Sequence, residues 1–215
     1  MQILGFGAGP YKTNTYIVEH DNRAFVVDPG MHAMNRVIEL SQEHGFDIEA
    51  IVLSHGHLDH TREAGDLAKR LNIPVYIHPE DEFMLDDGTG ATPQTLLLFD
   101  ATSMTPIDDI RHLHQGETLK LLGLEFDVHH CPGHSPGSVV IVAENFALTG
   151  DVLFKGSIGR TDLQHSDPQA MQESLGRLLE ILEDKLTLLP GHGPTTTMRA
   201  ERKTNGFLLN LGDVI

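Results

Sequence analysis

Apolar residues recur along the chain in two rhythms, and each switch between them marks an element. Tyr16-Ile17-Val18 within residues 13–19 and Phe25-Val26-Val27 within residues 23–27 predict two strands, with His20-Asp21-Asn22 as the turn between them. Asp28-Pro29-Gly30 stops the second strand. Met34, Val37 and Ile38 then fall at i, i+3 and i+4, so residues 33–44 predict an amphipathic helix that ends at Gly45. Residues 49–53 read as the next strand, residues 62–71 as a helix through Ala64, Leu67, Ala68 and Leu71, and residues 74–77 as a short strand.

Residues 79–110 break the rhythm. Gly88, Gly90, Pro93 and Pro106 interrupt any periodicity, which predicts a long excursion near the mouth of a site. Strands return over 119–122, 125–129, 138–143 and 146–149. The clearest helix follows over 168–182, with Met171, Leu175, Leu178, Leu179 and Leu182 on one face. Its start admits two caps, Ser166 with Gln169 or Asp167 with Pro168 at the first helical position. Residues 187–189 form a last strand. Strands followed by a helix thus occur twice, without a visible sequence repeat, and the succession predicts a layered α/β architecture in one domain, residues 1–215.

Composition narrows the partners. The chain has 31 Asp and Glu against 15 Lys and Arg, a formal net charge of -16. A protein that grips phosphate backbones needs clustered cations, so nucleic acid is disfavoured. No run approaches a membrane span, and the N-terminus lacks a basic region followed by an apolar core. Neither a membrane partner nor a leader is therefore expected. Cys131 is the only cysteine, which rules out an internal disulfide and makes the cytoplasm the default compartment.

The chemistry concentrates in Ser54-His55-Gly56-His57-Leu58-Asp59-His60, which follows a predicted strand. Three later stretches share its logic, in which a strand ends, a glycine turns the chain and a ligand-type side chain is presented. They are Cys131-Pro132-Gly133-His134, Leu148-Thr149-Gly150-Asp151 and Leu189-Pro190-Gly191-His192. Together they supply seven donors from four strand ends, enough for two metals that share a bridge. The nine other histidines are expected at the surface or behind the ligands, with His78, at a strand end, the one to follow. Cys131 is expected to be a small buried residue near the site.

The order His-x-His-x-Asp-His, Pro-Gly-His, Gly-Asp and Gly-His, preceded by Asp28-Pro29-Gly30, resembles the metallo-β-lactamase superfamily across essentially the whole chain. The resemblance implies an αββα sandwich. It also implies that His55, His57 and His134 bind a first divalent metal, that Asp59, His60 and His192 bind a second, and that Asp151 bridges them. Asp28 would orient the histidine loop without touching metal. Zinc is the first expectation, and iron or manganese suits the same donors.

Within the superfamily, Gly150-Asp151-Val152-Leu153-Phe154 and Gly159-Arg160 are similar to the hydroxyacylglutathione hydrolase (glyoxalase II) branch, in its single-domain bacterial-type form. This implies hydrolysis of a glutathione-linked thioester such as S-lactoylglutathione. A metal-bridging hydroxide would attack the carbonyl, and Asp59 would orient the hydroxide. Arg160 and Lys155 would anchor a substrate carboxylate, Arg160 enough that its loss raises KM by about one to two powers of ten. No counterpart of the extra helical domain that helps two-domain members hold glutathione is expected here. The alternatives are a mononuclear-iron persulfide dioxygenase, a lactonase or β-lactamase, and a non-catalytic metal-binding protein. A monomer or small homo-oligomer is expected.

Overall fold

The computed structural model describes residues 1–211. The first sheet is built from β1 (Gln2–Ala8), β2 (Thr13–His20), β3 (Arg23–Val27), β4 (Asp47–Val52), β5 (Val75–Ile77) and β6 (Ile110–His112), in that order. Its first three strands are antiparallel and β3 to β6 are parallel. The second half contributes β7 (Thr118–Leu121), β8 (Leu124–His130), β9 (Val139–Val142), β10 (Phe146–Gly150), the small hairpin of β11 (Leu153–Phe154) and β12 (Ser157–Ile158), β13 (Thr187–Pro190) and β14 (Thr196–Thr197). Its sheet runs β14-β13-β10-β9-β8-β7, with β10 and β13 parallel.

Alternation along β2 explains the layering. Tyr16 and Val18 face the second sheet, while Ile17 between them faces outward, because successive side chains on a strand point to opposite faces. Between the sheets, Phe25 and Phe126 meet edge to face, with centroids 5.2 Å apart and planes at 84°. That geometry is worth roughly 0.5–1.5 kcal/mol beyond burial. The outer face of the first sheet buries Ile17, Val26 and Ile51 against α1 (Ala33–His44) and α3 (Ala64–Leu71), through Val37, Leu40 and Leu67. The outer face of the second buries Val140, Ala147 and Leu188 against Met171, Leu175 and Leu178 of α5 (Pro168–Ile181). This is the αββα sandwich.

One boundary departs from the periodicity, and another selects between the two caps it allowed. The helix expected over residues 62–71 begins two residues later, as α3, and a separate short helix, α2 (Leu58–Thr61), precedes it. Glu63, at the break, sends its backbone N–H to Pro29 O, and its carboxylate accepts from His32 N and Met34 N. It thereby caps α1, whose own N-terminal residue makes no side-chain cap. At the start of α5 the cap is Asp167, which accepts from Gln169 N at 2.9 Å and Ala170 N at 3.1 Å, with Pro168 next.

The excursion is more ordered than its sequence suggested. It holds two 3-10 turns, Pro79–Met84 and Ala101–Ser103, and α4 (Pro93–Leu98), which buries no residue. After β13 the described chain closes with α6 (Met198–Thr204) and α7 (Gly206–Leu209). Glu201 and Asn205, one turn apart, hold the β11–β12 hairpin. Glu201 accepts from Gly156 N, and Asn205 donates to Phe154 O and Ser157 O.

Candidate metal centre

Every donor singled out in the sequence leaves the same edge of the sandwich. β4 leads into His55 and His57, α2 carries Asp59 and His60, and β8, β10 and β13 lead to His134, Asp151 and His192. Antiparallel β2 begins at that edge, which places Thr13 there too. Ring nitrogens of His55, His57 and His134 lie within 4.8 Å of one another, as do the donor atoms of Asp59, His60 and His192. Asp151 stands between the groups, with Oδ2 3.4 Å from His134 Nε2 and Oδ1 3.4 Å from His60 Nε2.

Hydrogen bonds behind these rings decide which nitrogens face inward. Asp28 Oδ1 accepts from Ser54 N at 2.8 Å, and its Oδ2 accepts from Ser54 Oγ at 2.6 Å and from His60 Nδ1 at 2.9 Å. With its proton given to Asp28, Ser54 Oγ accepts from His55 Nδ1 at 3.0 Å. His134 Nδ1 donates to Arg160 O at 2.8 Å. Each of these three imidazoles thus spends its Nδ1 proton outward and turns Nε2 to the centre, the arrangement that sets up a histidine for metal. Asp28, Ser54 and His60 are all buried, and both Asp28 oxygens are occupied by donors, which leaves the aspartate in an orienting position.

The donor set fits a pair of cations. His57 Nδ1 lies 2.8 Å from His134 Nε2 and 3.1 Å from His55 Nε2, so inward-facing lone pairs converge with too few protons to separate them. Burial pushes the His55 imidazole well below the ordinary histidine range, and burial with His134 alongside pushes His57 to about 3. Both are held neutral. Burial opposes charge on His60 and Asp151 as well. There the mutual attraction of imidazole and carboxylate wins, so His60 is raised and Asp151 and Asp59 are lowered. Positive charge is wanted at this spot, and Asp151 Oδ1 is buried without a hydrogen-bond partner.

Close packing of backbone makes the cluster possible. A Cβ on Gly191 would lie 2.2 Å from Asp151 Oδ1, and one on Gly159 would lie 1.9 Å from Asp151 O. Both positions therefore exclude any side chain. Gly159 lets the next carbonyl, that of Arg160, reach His134.

Several supports had no signal in the sequence. Thr13 Oγ1 donates to Asp59 Oδ2 at 2.7 Å. Asn14 and Tyr16 donate to Pro190 O, which fixes the His192 loop. Asp81, buried in the excursion, accepts from Gly56 N at 2.8 Å, Ser135 Oγ at 2.6 Å and Gly137 N at 2.5 Å. One carboxylate thereby ties the His55–His57 loop to the loop after His134. Residues so far apart in the chain carry no shared motif.

The centre opens into a cavity of about 550 Å³. His57, Asp59, His134, Asp151 and His192 form its floor. Tyr11 and residues 88–92 of the excursion form one wall, and Phe154, Ile158, Leu163 and Arg160 form the other. Arg160 reaches the cavity, but its guanidinium already pairs with Asp162 at 2.9 and 3.0 Å, and both residues are exposed. Lys155 sits at the exposed turn of the β11–β12 hairpin and does not line the cavity. Cys131 is buried behind the second sheet beside α5, and burial pushes its thiol up to about 12.

The model of the metallo-beta-lactamase superfamily matches residues 8–192. A protein of Haemophilus influenzae named hydroxyacylglutathione hydrolase GloC is 33% identical over 89% of this chain and 90% of its own length. Among solved structures, the BLEG-1 B3 metallo-beta-lactamase superposes with a TM-score of 0.85 at 33% identity, covering 96% of this chain and 99% of that one. TTHA1623 in a di-iron-bound form superposes with a TM-score of 0.83 at 37% identity, covering 95% and 100%.

Proposed function

This chain belongs to the metallo-β-lactamase superfamily and is a metal-dependent hydrolase of that group; we propose that the bond it cleaves is a thioester, that of S-lactoylglutathione, yielding glutathione and lactate. The observation that carries the reading is the Asp151 carboxylate, set between two donor triads at the floor of an open cavity. The likeness to the Haemophilus hydroxyacylglutathione hydrolase supports the choice of thioester. His55, His57 and His134 would hold one divalent ion and Asp59, His60 and His192 the other, with Asp151 shared. Zinc is our first assignment, and iron fits the same donors, as the di-iron form of the 37%-identical neighbour illustrates.

Ions held there supply a water acidic enough to ionise near neutral pH and positive charge to meet the carbonyl oxygen. The chain's own residues do the rest. Asp59, fixed by Thr13, would accept a hydrogen bond from a water beside it and orient that water toward the substrate. The apolar wall of Phe154, Ile158 and Leu163 packs along the substrate and keeps bulk water from its carbonyl. Arg160 meets a glutathione carboxylate at the rim, and Lys155 meets the part of the tail that extends beyond the cavity. A thiolate leaves without needing a strong acid. We place this activity in a single cytoplasmic domain; no helix of the described residues is long and apolar enough to cross a membrane.

A second reading has a specific observation behind it. The likeness to the BLEG-1 B3 metallo-beta-lactamase supports a cyclic amide or ester as substrate for the same floor. Steady-state assays of the metal-loaded protein separate the readings. We expect hydrolysis of S-lactoylglutathione that is lost on chelation and restored by metal. Ring opening of a β-lactam or lactone without thioester cleavage would transfer the assignment to the second reading. Oxygen uptake with glutathione persulfide alone would make the protein a dioxygenase, and no turnover of any of these would leave a metal-binding protein.

A further inference from the structure

Four histidines and two glutamates outside the centre gather at the C-terminal ends of β5, β6 and β8, on the same edge of the sandwich as the centre. His78 follows β5, His112 ends β6 with His114 close behind, and His130 ends β8. Glu80 and Glu82 come from the 3-10 turn that follows His78. Donor atoms of His78, Glu80 and His130 lie within 4.8 Å of one another. The cluster joins both sheets, and none of its members is among the seven donors of the centre.

We propose that His78, Glu80 and His130 form a separate cation site that takes a borderline divalent transition ion such as zinc, copper or nickel. Two imidazoles and one carboxylate favour these ions over magnesium or calcium, which require an oxygen shell. His130 is already prepared. Its Nε2 donates to Pro136 O at 2.7 Å, which holds the proton there and leaves Nδ1 as a lone pair. Glu80 Oε2 stands 3.9 Å from His130 Nε2, the nitrogen bonded to Pro136 O, so the glutamate, whose side chain is 58% exposed, must swing to the Nδ1 side to meet an ion.

His78 must move to bind. Its ring stacks on His130 with centroids 3.9 Å apart and planes 12° apart. An imidazole binds metal in its own plane, so one ion can join both rings only if His78 turns out of the stack. What it gives up is a single hydrogen bond of 3.3 Å from Glu80 N, near the limit of such bonds. Burial and the neighbouring His130 push the His78 imidazole down to about 4, so at neutral pH no proton competes with the ion. His112, bonded to Glu82 at 2.6 Å, and His114, whose ring is 6.3 Å from that of His78, make up the rest of the patch.

The proposal does not depend on the thioesterase reading, and its test needs no substrate. Zinc-loaded protein, desalted until its ion content is constant, is titrated with zinc chloride in a calorimeter while the histidine ring resonances are followed by NMR. We expect one further ion per chain, with shifts at His78 and His130. His78→Ala and His130→Ala should each weaken that binding by more than about tenfold, at least the loss seen when a mere outer-shell partner is removed. Glu80→Gln should weaken it less, and His20→Ala, elsewhere on the surface, should leave it unchanged. If His78→Ala fails to fold, the part-exposed His130 decides the matter. Absence of a further ion, or an ion whose affinity is the same in the His130 variant, overturns the proposal.

Discussion

Beneath the floor of the cavity, Asp28, His55 and His60 are at most 1% exposed, and each polar atom that faces away from the centre has a partner within 3.0 Å. On the wall above, Arg160 and Lys155 face solvent, and the guanidinium is bonded to its own neighbour, Asp162. The floor is held by bonds the ligand rings cannot rearrange without stranding a buried polar group, which costs roughly 1–3 kcal/mol each time. The β11–β12 part of the wall is held through its backbone by hydrogen bonds to Glu201 and Asn205, while the exposed Arg160 and Lys155 side chains re-aim at little cost. Such a division suits an enzyme whose chemistry is constant and whose recognition is adjustable.

The largest test of this contrast is Asp151→Ala. Removing the shared carboxylate should reduce metal content from two ions per chain to at most one and lower kcat by on the order of 10³. Elemental analysis beside turnover checks both. Two ions and full turnover in that variant would remove Asp151 from the bridge.

Asp28→Asn comes next. The amide can still accept one of the bonds from Ser54, but it cannot serve both Ser54 Oγ and His60 Nδ1. The expected outcome is a loss of about 10- to 100-fold in metal affinity, felt most at the ion held by His60. Competition with a chromophoric chelator measures it. An unaltered affinity would show that the buried bonds behind the floor are not what holds it.

The smallest effects belong to the wall. Exposed ion pairs contribute little, and Asp162 already engages the guanidinium. Arg160→Ala should therefore raise KM by less than about fivefold, not by the one to two powers of ten expected from sequence. Lys155→Ala should change it by less than about twofold. In both variants kcat and metal content should stay constant. A collapse of kcat with loss of metal in Arg160→Ala would erase the distinction between floor and wall.

The same division decides how much could be read before the structure. The convergence of the seven candidate donors was legible because their stretches each follow an apolar strand and a turn, a pattern contained within a few residues. The layers were legible in the alternation of β2 and the helical spacing of α5. Asp81 was not legible, since its partners Gly56, Ser135 and Gly137 lie on other segments and its own surroundings have no periodicity. Glu63 was hidden within what reads as a continuous helix; its role is visible only once α1 is folded beside it. Lys155 and Arg160 are close in sequence, but a hairpin turn sends one away from the cavity and leaves the other on its rim.

The bond from His134 to Arg160 comes from the main-chain carbonyl, not the guanidinium. Position 160 therefore carries two separable traits. Its peptide orients the His134 imidazole whatever residue is present, while its side chain faces whatever enters the cavity. Substitutions that keep a glycine at 159 can exchange the side chain at 160 and leave the bond to His134 in place. The same position is where a designer seeking a new substrate would place a library.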